Sequence, residues 1–362
     1  MHIPDGYLSP STCATLYVAA APFWYIALQR VRRLMNTRLV PLLAVFSAFS
    51  FVIMMFNLPL PGGTTGHAVG MGIATIVLGP WGSMLAVSVA LLIQALFFGD
   101  GGVTGFGANC FNMAIVGSLA AYWVYRALAG RAAITSRRRV VAAAIAGYVA
   151  INVAALFAAI EFGIQPALFT DAAGAPLYAP YPLSIAVPAM LVGHLTIAGL
   201  AELVVTGGVV AYLQRSDPAL LKLTAPGAAE ASDGIQSVNQ RGGWRTVRPL
   251  LIGLAILMVL SPLGLLAAGT AWGEWAPGQL PPSGPGGGGT PAGLERLSSF
   301  WIAPIPDYAP PFMHSETFGY ILSAVFGAGL IALAFFAISW IASLLRGGRD
   351  PDPTSHPGAG TA

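Results

Sequence analysis

The stretch Leu39-Val40-Pro41-Leu42-Leu43-Ala44-Val45-Phe46-Ser47-Ala48-Phe49-Ser50-Phe51-Val52-Ile53-Met54-Met55-Phe56 contains no charged residue. About twenty apolar residues in a helix cross a hydrocarbon core roughly 30 Å thick, so this run reads as a membrane span. It ends in the breaker-rich Asn57-Leu58-Pro59-Leu60-Pro61-Gly62-Gly63. On its other side stand Arg30, Arg32, Arg33 and Arg38, and before them lies another apolar run, Pro10 to Leu28.

The same texture fills the chain. Its 362 residues are 56% hydrophobic and 9% charged, with a mean hydropathy of +0.73, whereas soluble domains carry about a quarter charged residues. The net charge is +3, but every basic residue except Arg296 lies in a short cluster between or after apolar runs. The positive-inside rule places such clusters in cytoplasmic loops, so the basicity is topological and no nucleic-acid partner is expected. Cys13 and Cys110 lie within or beside apolar stretches, which offers neither a disulfide framework nor a CxxC metal knuckle. A signal peptide opens with positive charge; here the first basic residue, Arg30, follows the apolar run, so Met1 is expected to stay.

Further spans follow in order. His67 to Leu78 and Ser83 to Phe98 form a hairpin turning at Gly79-Pro80-Trp81-Gly82, its first arm too short to cross unaided. Gly107 to Tyr125, Val140 to Ile160 and Ile185 to Leu213 complete seven, with a loop free of basic residues from Glu161 to Pro182. Ser216 to Trp244 has no apolar periodicity and reads as a flexible linker. Leu250 to Ala268 and Phe318 to Leu345 flank a loop containing Pro281-Pro282-Ser283-Gly284-Pro285, too low in hydrophobicity to fold by itself. The expected fold is all-α and polytopic, about nine spans with the N-terminus outside and the C-terminus inside. Its divisions are 1–215, a seven-helix module; 216–247, a cytoplasmic linker; 248–346, a two-helix module with an extracytoplasmic loop; and 347–362, a disordered cytoplasmic tail.

The chemistry concentrates in Met1-His2-Ile3-Pro4-Asp5-Gly6-Tyr7-Leu8. A free amine, the amide nitrogen of residue 2 and the His2 imidazole can close small chelate rings around one cation, and a further imidazole makes four nitrogens. Planar nitrogen sets suit Ni(II) or Cu(II), and imidazole-rich sites also accept Co(II). Of the other histidines, His356 lies in the inside tail, His314 in the last outside loop and His194 inside the seventh span, while His67 directly follows the outside turn Pro61-Gly62-Gly63-Thr64-Thr65-Gly66. Position favours His67 as the fourth donor. Taken alone, the residues favour the plainer reading, an ordinary exposed His2 and a helix-end His67.

Several segments resemble the CbiM/NikM family, the substrate-binding (S) components of energy-coupling factor importers for cobalt and nickel. They are Met1 to Gly6, Pro61 to His67, Leu78-Gly79-Pro80-Trp81, Gln94-Ala95-Leu96-Phe97-Phe98-Gly99-Asp100-Gly101-Gly102 and Gly107-Ala108-Asn109-Cys110-Phe111-Asn112-Met113, colinear through about residue 215. The resemblance implies a metal site made by the terminal amine of Met1, the amide and imidazole of His2, and His67. It also implies Ni(II) or Co(II) as cargo with no permanent cofactor, and a prokaryotic inner or plasma membrane. The implied partners are a transmembrane coupling subunit of CbiQ/NikQ type and two ATPase subunits of CbiO/NikO type. Ala271-Trp272-Gly273-Glu274-Trp275, Pro306-Asp307-Tyr308 and Pro291-Ala292-Gly293-Leu294-Glu295, a degraded Pro-Asp-Gly-Leu-Glu, are similar to the two-helix CbiN/NikN-like (PDGLE) partner in fused form.

Other polar residues support either site or scaffold. Asp100 orients a ligand histidine or caps a helix; Asn109 fits an N-cap; Asn112, inside a span, suggests a polar contact; Asp5 offsets cation charge or makes a turn with Gly6. His194 and Glu202, eight residues apart on one helix face, read as an intramembrane polar pair. The chain carries no GxxxxGK[ST] phosphate loop, so ATP hydrolysis falls to partners and the chain is expected to be a transporter subunit, not an enzyme. Two other readings are an ion-gradient-driven permease, which scarce intramembrane acids disfavour, and an intramembrane metalloenzyme, which the absence of HExxH disfavours.

Overall fold

A computed structural model describes residues 1–34, 39–60, 64–228, 243–266, 280 and 289–347. The architecture is helical apart from one small hairpin. Helix α1 (Pro10–Leu34) starts where Ser9 accepts a hydrogen bond from the Thr12 amide at 3.1 Å, with Pro10 in the first turn, the usual capping arrangement. Helix α2 (Leu39–Met54) leads to strands β1 (Leu58–Leu60) and β2 (Thr64–Gly66), which pair antiparallel with Leu58 opposite Gly66. Strand β1 thus lies within the breaker-rich stretch after the second apolar run, and β2 delivers the chain to His67.

Helix α3 (Met71–Ile93) passes through Gly79 at φ 73° and ψ 168°. In an unbroken helix, residues twelve apart would stand about 18 Å from one another, yet the Ser83 hydroxyl comes within 3.5 Å of the Met71 carbonyl. The chain therefore reverses at Gly79-Pro80, as expected for a hairpin, and its first arm is short. That arm begins at Met71, leaving His67 to Gly70 as a loop.

Beyond a π-helical turn at Gln94–Phe98 and a glycine-rich loop, α4 covers residues 106–129, π-helical at Cys110–Gly117. Helix α5 (Arg137–Gly163) is the hub, packing on α4 and on α6 (Leu183–Ser216). Its buried stripe is mainly alanine, including Ala142, Ala146, Ala150, Ala154 and Ala158, small side chains that let helices approach closely where lipid supplies no hydrophobic drive. Glu161 lies within this helix and is buried, rather than opening the outside loop.

The C-terminal part contributes α7 (Gly243–Leu260), the short α8 (Ala292–Leu297) and α9 (Glu316–Gly347). Both long helices pack on α2, and Tyr320 donates to the Met55 carbonyl at 3.0 Å. Among the described residues six helices are long and apolar enough to cross a membrane, with a shorter apolar helix at Val40–Met54; the protein is a multi-pass membrane protein. The start of the expected flexible linker is ordered instead: Leu221 is buried, and Thr224 donates to the Ile76 carbonyl at 2.7 Å, fastening residues 218–228 under α3. The remainder of that linker at 229–242, most of the expected glycine-rich loop, Ala271 to Trp275, and the tail from 348 including His356 lie outside the described residues.

Candidate metal centre

The N-terminal segment is an interior element of the bundle. Met1, His2, Ile3, Tyr7 and Leu8 are all buried, His2 with 1% of its surface exposed, so the exposed-His2 alternative does not hold. Fixing this segment is largely polar work. The Asn109 side chain accepts from the Ile3 amide at 2.8 Å and donates to the Ile3 carbonyl at 3.1 Å, acting as a strand partner rather than as the expected helix cap. The Gly102 amide also donates to the Ile3 carbonyl at 2.8 Å. Asp5 accepts from the Val103 and Thr104 amides at 3.2 and 2.7 Å and from the Thr104 hydroxyl, so its partners are protein groups. The Ser9 amide donates to Gln165 at 3.0 Å, and Ala179 to the Tyr7 carbonyl at 3.0 Å.

The close approach explains the glycine-rich loop. A Cβ on Gly102 would overlap the Asp5 amide and lie 2.7 Å from the Pro4 carbonyl carbon. No other residue type leaves room for the terminus there.

His67 reaches the same place from the loop after β2. The rings of His2 and His67 stack, with centroids 4.8 Å apart and planes at 22°. His67 Nδ1 is 3.2 Å from the Ala68 carbonyl; a carbonyl only accepts, so Nδ1 carries the proton and Nε2 presents its lone pair. Burial, then the neighbouring terminal ammonium and the His2 ring, hold His67 well below the usual imidazole range, which keeps that lone pair free. The Nε2 atoms of both His2 and His67 are buried without a hydrogen-bond partner. Leaving such groups unpaired is costly, and the open Nε2 of His67, on a ring facing His2 beside the terminal amine, makes a nitrogen-rich pocket fit for a cation.

Asp100 faces His2 from the glycine-rich loop, Oδ1 2.6 Å from Nδ1. Burial pushes its carboxyl up, but His2 and the hydrogen bond from Tyr308 outweigh this and hold it below the usual carboxylate range. Gln94 donates to Asp100 Oδ2 at 3.1 Å. Among the described residues no group of three or more His, Cys, Asp or Glu side chains is set to hold an ion. Nitrogens of the terminus itself would have to complete the four.

The expected pair His194 and Glu202 is not a pair. Glu202 accepts from the amides of Val69 and Gly70, each at 2.8 Å, and of Gly72 at 3.1 Å, clamping the loop that carries His67. His194 Nδ1 sits 2.8 Å from the Met190 carbonyl one turn back. Asn112 does make a polar contact, donating to Glu161 at 2.7 Å. Gln94, Glu161, Gln165 and Tyr308 escaped the sequence reading. A polar side chain inside an apolar run was the available signal for Gln94 and Gln165.

A helical membrane protein with histidines buried around its own N-terminus belongs to the class of metal-handling transport proteins, and comparisons with known proteins agree. Residues 2–220 match the family described as "Cobalt uptake substrate-specific transmembrane region", CbiM, and residues 248–344 match the PDGLE domain. The chain belongs to the CbiM family, with a PDGLE domain fused behind. It is 54% identical over 358 residues to the fused nickel transport protein NikMN of Rhodobacter capsulatus, covering 96% of this chain and 99% of that one. It is 46% identical over 282 residues to the probable fused nickel transport protein LarMN of Lactiplantibacillus plantarum, covering 77% and 79%. A crystal structure of a transition metal transporter shares 49% identity at a TM-score of 0.57, covering 62% of this chain and 98% of that one.

Proposed function

We propose that this chain captures Ni(II) or Co(II) at its own N-terminus, as the substrate-binding subunit of an ATP-driven importer of the energy-coupling factor type. The observation that carries the reading is the buried, unpartnered Nε2 of His67, on a ring stacked against His2 and beside a buried terminus. The Met1 amine, the deprotonated His2 amide, the His2 imidazole and the His67 imidazole supply four nitrogens, a set that Ni(II) favours in a plane. Closing the ring between the His2 amide and its own imidazole uses Nδ1, the atom that Asp100 engages, so loading exchanges a proton on Nδ1 for the metal. The fused relatives named above are described as a nickel transport protein and a probable nickel transport protein, which makes nickel the first ion to test.

Residues 1–215 form the metal-binding module and 248–346 the PDGLE-like module, with nine spans, the terminus outside and the tail inside. Energy comes from partners: a CbiQ/NikQ-type coupling subunit and two CbiO/NikO-type ATPases. Glu202, the deep acid that an ion-gradient permease could have used, has its carboxylate on three loop amides.

The test is isothermal titration of Ni(II) into purified full-length protein whose N-terminus is native or extended by Gly-Ser-Gly-Ser. The extension keeps every side chain but moves the amine away, and high-affinity binding is expected to disappear. Unchanged affinity would refute the terminal chelate. Loss of uptake in vesicles without the ATPase subunits tests the coupling.

A further inference from the structure

Tyr308 belongs to the PDGLE-like segment, more than three hundred residues from the terminus, yet its hydroxyl donates to Asp100 Oδ2 at 2.5 Å. The same carboxylate meets His2 Nδ1 through its other oxygen. Gln94 Nε2 ties the group together, donating to the Tyr308 oxygen at 2.9 Å and to Asp100 Oδ2 at 3.1 Å. The Tyr308 ring is fixed independently of its hydroxyl: it stacks on Phe98 with centroids 4.8 Å apart and meets Phe51 and Tyr320 edge-on.

The backbone is bent to put it there. Asp307 and Tyr308 are the non-glycine residues with positive φ among those described, at 54° and 58°, a conformation that is an outlier for a bulky side chain and is held only where surroundings enforce it. The surroundings are present: Ser323 donates to the Tyr308 carbonyl at 2.8 Å, Ile305 to the Phe97 carbonyl at 2.9 Å, and the Trp301 indole to the Leu96 carbonyl at 2.9 Å. Earlier in the same segment, Leu294 packs against the N-terminal stretch at Gly6. A Cβ on Gly6, itself at φ 87°, would lie 2.7 Å from the Leu294 carbonyl oxygen.

We infer that Tyr308 is a positioning residue for metal loading, through which the PDGLE-like segment acts on the His2 ligand by way of Asp100. The inference rests on the terminal chelate proposed above. A metal ion can take His2 Nδ1 only when Asp100 gives that nitrogen up, and a buried carboxylate gives up one donor readily only if others remain. Tyr308 and Gln94 are those donors. They hold the carboxylate in place when His2 Nδ1 turns from it to the metal, and so keep its negative charge beside the incoming cation. Without the Tyr308 hydroxyl, Asp100 has more to lose by releasing His2, and the site loads less well.

Full-length protein with a native terminus tests this by Ni(II) titration of wild type, Tyr308→Phe, Asp100→Asn and the double variant. Tyr308→Phe keeps the stacked ring and removes one hydroxyl. It is expected to weaken affinity about tenfold, the lower end for loss of a group orienting a metal ligand, and to have no further effect in the Asp100→Asn background. The ligand-field spectrum of bound Ni(II) at saturation should match wild type, because Tyr308 is not a ligand. Should Tyr308→Phe lower the unfolding temperature, Gln94→Met, which removes the other donor to the same carboxylate, is expected to show the same dependence on Asp100. Wild-type affinity in Tyr308→Phe, an equal loss in both backgrounds, or a shifted saturated spectrum would overturn the inference. The Gly-Ser-Gly-Ser extension separates the two levels: if it leaves binding intact, the chelate itself is wrong, whereas if it abolishes binding and Tyr308→Phe is silent, only the relay is wrong.

Discussion

Asn109→Ala puts the buried terminus to a quantitative test. Two hydrogen bonds, at 2.8 and 3.1 Å, join this side chain to the amide and carbonyl of Ile3, whose surface is fully buried. The losses are unequal. The Ile3 carbonyl keeps the Gly102 amide at 2.8 Å, so it forfeits about 1 kcal/mol, the net worth of an ordinary hydrogen bond. The Ile3 amide is left facing an alanine methyl, and a stranded buried donor costs about 1–3 kcal/mol. Together the inserted terminus loses about 2–4 kcal/mol, or roughly 30- to 1000-fold on an equilibrium at 1.4 kcal/mol per decade. This cost must surface in one of two measurements. If the metal-free terminus of the variant comes out of the bundle, Ni(II) binding has to pull it back and calorimetric affinity falls within that range. If it stays in, affinity changes less and the penalty shows as a lower unfolding temperature. Hydrogen exchange at residues 3–8 tells the two apart. Unchanged affinity, unchanged unfolding and unchanged protection together would refute the claim that Asn109 holds the terminus.

Gly102→Ala places a methyl group against the Asp5 amide and the Pro4 carbonyl carbon; the outcome expected is loss of Ni(II) binding in a chain that still purifies as a folded species, read by calorimetry beside size-exclusion chromatography. Glu202→Ala strands the buried amides of Val69, Gly70 and Gly72, a cost of about 3 kcal/mol or more; its unfolding temperature should fall markedly, while Glu202→Gln, which keeps an acceptor, recovers part of the loss. Equal stability in the two would show that the carboxylate is not the clamp. His67→Ala removes one of four nitrogens without touching the clamp, and should abolish high-affinity Ni(II) binding in titrations while leaving thermal stability close to wild type.

How much of this was legible in the residues follows from how far each signal reaches along the chain. The apolar runs that define the helices are local, and each stretch read as a span, from Pro10 to Leu345, is helical over most of its described length, although His67 to Gly70 is a loop and the second helix stops at Met54. The reversal at Gly79-Pro80 was also legible, because glycine and proline act on their own backbone. The partners of the polar residues were not. Asn109 lies 106 positions from Ile3, Glu202 lies 133 from Val69, and Tyr308 lies 208 from Asp100. Asn109 and Glu202 each had a local alternative, a helix cap and a polar pair along one helix face, and only the packing of separate helices decides against it. Periodicity says which face of a helix is buried, but nothing about which distant amide will lie opposite. The linker misled for a related reason: 218–228 lacks periodicity, yet two residues, Leu221 and Thr224, suffice to fasten it to α3.

Burying a chain terminus is an unfavourable choice unless something offsets it, and the residues around Met1 show what does. An ammonium moved out of water pays several kcal/mol even after relaxation. Against this stand the apolar anchors of the same segment. Met1, Ile3, Tyr7 and Leu8 are each at least 97% buried, and a fully buried side chain of this kind contributes about 1.5–3 kcal/mol. The anchors therefore cover the cost of bringing in the amine, while Asp100, whose carboxyl is held low by its cationic surroundings, supplies a counter-charge. The unpartnered Nε2 of His67 has no such compensation. The segment is thus stable enough to sit inside the bundle and still carries unsatisfied nitrogen, so the gain that remains is reserved for a cation. On the chelate proposed above, the metal therefore meets a terminus that is already buried, and what it adds is a partner for the nitrogen that this burial leaves unsatisfied.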